Sequence, residues 1–221
     1  MQKIITKDGS ISFMSEEYGE AYHALSGAVE EAIVKFIDPT EIAARALSGS
    51  LRVLDIGFGL GYKSLMTIES AKKSNPDCQI DIVTLEKDEN ILRTKVDVLS
   101  GLEKSYKLLR FLVQVSLEKK SIAKKDNVSL TIMFGNAPDR IKELAPGFDI
   151  VFLDPFSPKK NPEMWTLQFF QDIFGRMKNG SALATYSCAA IVRKNLSAAG
   201  FVVKEVAPFK RRGPSLLALR P

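Results

Sequence analysis

Short polar groups and a glycine turn fall where the β-strands of this sequence should end. They are Asp55 with Gly57, Gly59 and Gly61; Glu86; Asn136 with Ala137; and Asp154 ahead of Pro155 and Phe156. In an open α/β sheet, ligands bind outside the carboxyl ends of the strands, so these groups form one candidate site. The glycines allow a tight turn and a close backbone approach to a ligand. Their spacing is G-x-G-x-G, with Phe58 between the first two, and lacks the regular third glycine of the pyrophosphate motif. A pocket that need not cradle a pyrophosphate suits S-adenosylmethionine better than NAD. On this reading Asp55 and the glycine backbone hold the methionine moiety, Glu86 grips the ribose hydroxyls, and Asn136 and Ala137 meet the adenine edge. Asp154 and Phe156 then face the acceptor. Each has a plainer reading: a bare βα turn, a surface glutamate, an aspartate capping a turn before proline.

The Asp154-Pro155-Phe156 step resembles amine methyltransferases, where a polar group aligns a nucleophilic nitrogen and an aromatic ring packs its carrier. A primary alkylamine has a pKa near that of lysine, about 10.4, so only about one molecule in 10³ is free base at neutral pH. Forming that base costs roughly 4–5 kcal/mol unless the site depresses the pKa or accepts the proton. Asp154, or a water it holds, is the candidate acceptor. Aligning nitrogen, methyl and sulfur is the remaining demand, for which effective molarities run to about 7–11 kcal/mol.

The elements that must position these groups alternate. The apolar run 51–55 leads into the glycine turn and a helix to about Ser74. Strands follow at 80–85, 128–134, 148–153 and 181–186, with a helix over 189–199 stopped by Gly200. The stretch 88–125 reads as helical, with its many lysines on solvated faces. Asn161-Pro162 caps a helix through Trp165, Phe169 and Phe170, whose large rings are expected in the core. Segments 201–206 and 215–219 are joined too closely for a parallel crossover and form an antiparallel hairpin. Residues 1–50 are an appendage: a hairpin around Lys7-Asp8-Gly9, a helix through Val29 and Phe36, and another opened by Asp38-Pro39. The expected architecture is α/β: a doubly wound, Rossmann-like sheet of the class I S-adenosylmethionine-dependent methyltransferase type over residues 51–221, with a terminal antiparallel hairpin.

The chain has 221 residues, 45% hydrophobic and 26% charged, which fits a single globular domain. Neither a membrane span nor a signal-peptide core is present, which predicts a cytoplasmic protein. One histidine and two distant cysteines, Cys78 and Cys188, cannot make an ordinary zinc site, so no metal is expected. A net charge of +5 leans toward an anionic partner.

With these residues in place, the chain resembles the methyltransferase half of the bacterial tRNA-modifying bifunctional protein MnmC and the related free-standing methyltransferases. Asp55-Ile-Gly-Phe-Gly-Leu-Gly61 is similar to the family's glycine loop. Phe152-Leu-Asp-Pro-Phe-Ser-Pro-Lys-Lys-Asn-Pro-Glu-Met-Trp165 is similar to its L-D-G-F-A-P-x-K-N-P-E-M-W signature, and residues 184–193 resemble a third block. A looser likeness covers residues 27–36, with Glu30 and Glu31 in register. Asp55, Pro155 and Asn136 stand where the family often has glutamate, glycine and aspartate. The resemblance implies methyl transfer from S-adenosylmethionine to the aminomethyl nitrogen of 5-aminomethyl(-2-thio)uridine at the tRNA wobble position. In the bifunctional protein an FAD-dependent oxidase half acts first; with no second domain and no G-x-G-x-x-G at either end of this sequence, no FAD and no oxidase activity are expected here, and another enzyme is expected to supply the amine. A basic surface formed by Lys159, Lys160, Arg193, Lys194, Lys210, Arg211 and Arg212 would contact tRNA phosphates, with Tyr186 or Phe156 stacking the flipped base. Two other readings stay open. One is an aminopropyltransferase of the spermidine synthase type, whose N-terminal hairpin residues 8–23 resemble. The other is a non-catalytic RNA-binding module on the same fold.

Overall fold

The computed structural model describes residues 2–94, 99–119, 122–208 and 213–221. Strands β1 (Lys3–Ile5) and β2 (Ile11–Phe13) pair antiparallel, as expected. Asp8 closes their turn by accepting from Thr6 Oγ1 at 2.7 Å and from the Ser10 amide at 2.9 Å. Helix α1 (Ala28–Ala32) runs into a π-helical turn over Ile33–Ile37, and α2 covers Ile42–Ala46. Asp38-Pro39 therefore ends a helix and does not open one. Pro39 has no amide to continue the ladder, the Thr40 hydroxyl donates back to the Phe36 carbonyl, and Glu41 takes a left-handed φ of 56° before α2 starts.

The main sheet begins with β3 (Ser50–Ile56), followed by α3 (Tyr62–Ser74) and β4 (Gln79–Glu86). Next come α4 (Glu89–Arg93) and α5 (Glu103–Lys119), then β5 (Ala123–Lys125) and β6 (Val128–Phe134). The expected helix to Lys125 thus stops early. Ala123 is buried while Lys124 and Lys125 are exposed, and this short stretch pairs antiparallel with β6 through a turn in which Asp126 adopts φ 53°. Helix α6 (Ala137–Arg140) leads to β7 (Phe148–Leu153). Pro162–Trp165 form only a tight 3₁₀ turn. Helix α7 (Leu167–Arg176) is capped by Thr166, whose Oγ1 accepts from the Phe169 amide at 3.2 Å, and not by Asn161. A side-chain acceptor at the N-cap satisfies a first-turn amide that has no partner within the helix. β8 (Met177–Thr185) starts four residues before the expected Ser181. Helix α8 (Ala190–Ala198) and the hairpin β9 (Val202–Val206) and β10 (Ser215–Leu219) complete the chain as read.

The strand order is β5-β6-β4-β3-β7-β8-β10-β9. From β3 the chain moves outward through β4 to β6, then returns to β7 on the other side of β3. The topological switch point lies between β3 and β7, which pair in parallel. This is the expected Rossmann-like methyltransferase fold, with β10 antiparallel to both neighbours. Alternate residues feed opposite layers. Val53, Ile150, Phe152 and Ala184 pack with α1, α3 and α5. Leu54, Ile56, Val151, Leu153 and Leu183 pack with α7 and α8. Burial on both faces explains why β3 and β7 read as near-continuous apolar runs.

Candidate active site

At the switch point the ends of β3 and β7 abut. The Gly57 amide donates to the Leu85 carbonyl at 3.0 Å, and the Asp154 amide donates to the Ile56 carbonyl at 3.0 Å. Gly57 has φ 80°, and a Cβ placed on it would sit 2.8 Å from the Asp154 carbonyl oxygen. Only glycine permits this approach. Gly61, at φ 83°, starts α3, and a Cβ there would lie 2.7 Å from the Phe58 ring.

Charge gathers around this turn. Glu86, at the end of β4, accepts from the Gly59 amide through Oε2 at 2.9 Å. Its Oε1 accepts from the amides of Lys87 and Asp88 at 2.7 and 2.9 Å. Burial raises its pKa, and the three amides hold the carboxylate back toward the ionised form. Lys63, in the first turn of α3, donates to Asp154 Oδ2 at 2.8 Å and to the Gly57 carbonyl at 2.9 Å. Its Nζ also lies 3.5 Å from Asp55 Oδ1. Burial would strip the Lys63 proton, but Asp154 and Asp55 outweigh it and raise the ammonium pKa. Asp154 is pushed up to about 6, chiefly by burial, with Lys63 opposing and Glu31 adding to the rise.

The opposite wall comes from residues 15–24. Tyr18 stacks on Phe156 with ring centroids 4.2 Å apart, and Tyr22 meets the edge of the same ring at 5.2 Å. Glu20 accepts from the Ser157 amide and hydroxyl at 3.1 and 2.6 Å. Tyr22 donates to Asp88 Oδ2 at 2.8 Å, and Lys87 pairs with Glu17 at 2.7 Å. The strap thereby spans the loops after β4 and β7. Between strap and glycine turn lies a cavity of about 610 Å³, lined by eight carboxylates and only two lysines, Lys63 and Lys87. Such a cavity favours cationic groups.

Comparison with known proteins bears on what the cavity serves. The profile of a family described as S-adenosyl-L-methionine-dependent methyltransferase matches residues 102–221, more than half of the chain. The crystal structure of MnmC2 from Aquifex aeolicus superimposes with a TM-score of 0.89 at 32% identity, covering 100% of this chain and 71% of that one. The chain belongs to the S-adenosyl-L-methionine-dependent methyltransferase family. Its full-length likeness to MnmC2 places it among the MnmC-type methyltransferases. The bifunctional MnmC protein of Ectopseudomonas mendocina is 30% identical over 209 residues, 89% of this chain but 31% of that protein. An uncharacterized protein of Methanocaldococcus jannaschii is 30% identical over 97% of this chain and 58% of its own length. The chain thus spans under two thirds of that protein and about a third of the bifunctional relatives it matches. Spermidine synthase from Thermotoga maritima, at 13% identity and a TM-score of 0.53, shares the fold alone.

The residues present fit the methyl donor that defines this methyltransferase family. The cradle at Gly57 is one a Cβ would fill, β4 ends in a buried carboxylate, and the acid-rich wall suits a sulfonium. Of the residues singled out in the sequence, Gly57, Gly59, Glu86, Asn136, Ala137, Asp154, Phe156 and Tyr186 line this one cavity. Asp55, Phe58 and Gly61 do not. Asp55 is 0% exposed beneath the turn, bound by Ser64 Oγ at 2.8 Å, because it lies within β3 and not beyond its end. Phe58 is core, and Gly61 serves the start of α3. Lys159 and Lys160 are exposed outside the lining, whereas Arg193 pairs with Glu205 at 2.8 Å. Lys210, Arg211 and Arg212 lie outside the described residues. Trp165 and Phe169 are core, as expected. Sequence reasoning missed Lys63, Glu20 and Glu31 as parts of the site. For Lys63 a signal existed: a lone cation among residues 60–68, in a helix turn that must pack on the sheet.

Among the described residues, no helix is long and apolar enough to cross a membrane.

Proposed function

We propose that this methyltransferase acts on tRNA, methylating the aminomethyl nitrogen of 5-aminomethyl(-2-thio)uridine at the wobble position to give 5-methylaminomethyl(-2-thio)uridine. The observation that carries this is Asp154. It lines the acid-rich cavity directly beside the glycine turn, in a chain similar to MnmC2 along its whole length. S-adenosylmethionine, when bound, supplies an electrophilic methyl group on a sulfonium.

The chain's residues do the rest. Gly57 and Gly59 admit the donor, and Glu86 Oε2 keeps a lone pair for a ribose hydroxyl beyond its bond to Gly59. Asn136 and Ala137 border the adenine edge. The carboxylates draw in the acceptor as its ammonium. Asp154 then aligns the nitrogen and takes one proton as the free base forms. As the nitrogen lone pair makes the new N–C bond, the S–C bond breaks and its electron pair stays on sulfur. Asp154 passes its proton on to water, and the product leaves as its secondary ammonium. With a pKa of about 6, Asp154 is a better base than an ordinary aspartate yet ionised at neutral pH. Phe156 and Tyr186 frame the entering base. Lys159 and Lys160, with Lys210, Arg211 and Arg212, meet the phosphates. Arg193 would have to leave Glu205 to join them. Residues 1–50 serve as an appendage that supplies the strap over residues 51–221, and a separate enzyme provides the amine.

Mass spectrometry of nucleosides from tRNA bearing the unmethylated amine tests this. Protein and donor should yield the methylamine, and Asp154→Asn should lower kcat at least about 100-fold, consistent with loss of a positioned base, while donor Kd stays within about threefold. Equal loss of both would mark Asp154 as structural. The acid-rich cavity also suits a polyamine acceptor. Product from decarboxylated S-adenosylmethionine and putrescine, with none from tRNA, would favour that second reading.

A further inference from the structure

Lys63 is 3% exposed; its ammonium donates to Asp154 and to the Gly57 carbonyl and lies 3.5 Å from Asp55 Oδ1, a buried oxygen with no hydrogen-bond partner among the described residues. The rest of its surroundings are Glu31 from α1, His23 from the strap, and the Phe36 ring at 5.6 Å. Glu31 is itself paired with Lys35. Asp154 keeps 14% of its side chain exposed, and its Oδ1 accepts no hydrogen bond among the described residues. A lysine so placed ties the glycine turn and the carboxylate into one rigid unit.

We propose that Lys63 is a positioning residue for methyl transfer: by pinning Asp154 Oδ2 against the Gly57 carbonyl, it turns Oδ1 toward the acceptor and keeps that carboxylate charged. The geometry explains why a lysine is tolerated in so buried a turn. Without its charge, Asp154 would face Asp55 and Glu31 with no compensating cation, and a buried carboxylate among like charges takes up a proton. The inference rests on the amine-methylating role of Asp154 for its catalytic meaning, but its first test does not need turnover.

In protein labelled with ¹³C at the aspartate carboxyls, the Asp154 signal is assigned by its loss in Asp154→Asn. In Lys63→Gln the Asp154 titration midpoint should rise by about one unit or more. The acidic limb of kcat should rise with it. A folded Lys63→Gln protein with an unmoved midpoint overturns the proposal. Should that variant not fold, Lys63→Arg decides. It keeps the charge, so the midpoint should stay within about half a unit, but its larger fork displaces Oδ1, and kcat should fall about tenfold or more, as misplacement of a reacting group does. Unchanged kcat in Lys63→Arg also overturns it. Absence of methylation by the wild-type protein would instead sink the functional reading, leaving the titration of Asp154 still interpretable.

Discussion

The two walls of the cavity are built from opposite materials. The glycine-turn wall is held by backbone contacts and by an ion pair whose lysine and aspartate side chains are only 4% and 14% exposed. The strap wall is held by ring stacking, by the hydrogen bonds of Glu20 with Ser157 and of Tyr22 with Asp88, and by an ion pair, Lys87–Glu17, whose partners are 59% and 61% exposed. Surface pairs of that kind contribute about 0–1 kcal/mol, whereas breaking a buried pair costs roughly 3–5 kcal/mol. The first wall is closed by buried contacts, and the second by contacts more open to solvent. For the reaction proposed above, the first arrangement suits a donor cradle and the second suits an acceptor of nucleic-acid size.

The sharpest way to break this contrast is Gly57→Ala. The left-handed φ costs about 1–2 kcal/mol for an L-residue, and the new methyl would also force β7 away from β3. Calorimetry should show donor affinity down roughly 100-fold, and a Kd within about threefold of wild type would mean that the cradle is not rigid. His23 probes a deeply buried anchor of the strap. It is 8% exposed, its amide donates to Ser12 Oγ at 3.1 Å, and burial, reinforced by Lys63, pulls its pKa down to about 4. The unfolded chain binds that proton more readily. The contribution is therefore whole above the unfolded pKa of about 6.5 and is lost as pH falls toward 4. Urea denaturation at pH 7 and 5 should show wild type losing about 2 kcal/mol more than His23→Gln; parallel losses would remove His23 as the anchor. The smallest effect belongs to Lys87→Met. Its stability should change by less than about 1 kcal/mol, and a larger drop in a denaturant titration would show that the strap is not the loose wall.

Those asymmetries explain what could be read from the sequence. β3 and β7 were legible as near-continuous apolar runs buried on both faces, β4 and β6 as apolar-rich segments of strand length bounded by turns, and their carboxyl ends share one edge whatever the loops do. That rule, with the glycine spacing and the Asp154-Pro155-Phe156 step, put Gly57, Glu86 and Asp154 on one edge. Asp55 was misjudged by a single position: one residue inside the strand end, the same carboxylate faces the core. β5 was missed because three residues, two of them lysines, carry too little pattern to compete with a preceding helix. The strap could not be read as a cavity wall, since Tyr18, Glu20 and Tyr22 owe their places to residues 87–88 and 156–157. No local spacing encodes such distant partners. Lys63 was hidden for another reason: lysine at a helix start is ordinarily solvated, and only the two aspartates brought to it by folding keep it inside.

The position of β10 has its own consequence. It lies between β8 and β9 although residues 215–219 follow every other strand in the sequence. During synthesis, β8 therefore waits with one edge unpaired while β9 has no sheet to join. The half of the sheet beyond β7 can close only when these residues have left the ribosome, which makes the outer edge of β8 dependent on a segment made well after it for protection against aggregation.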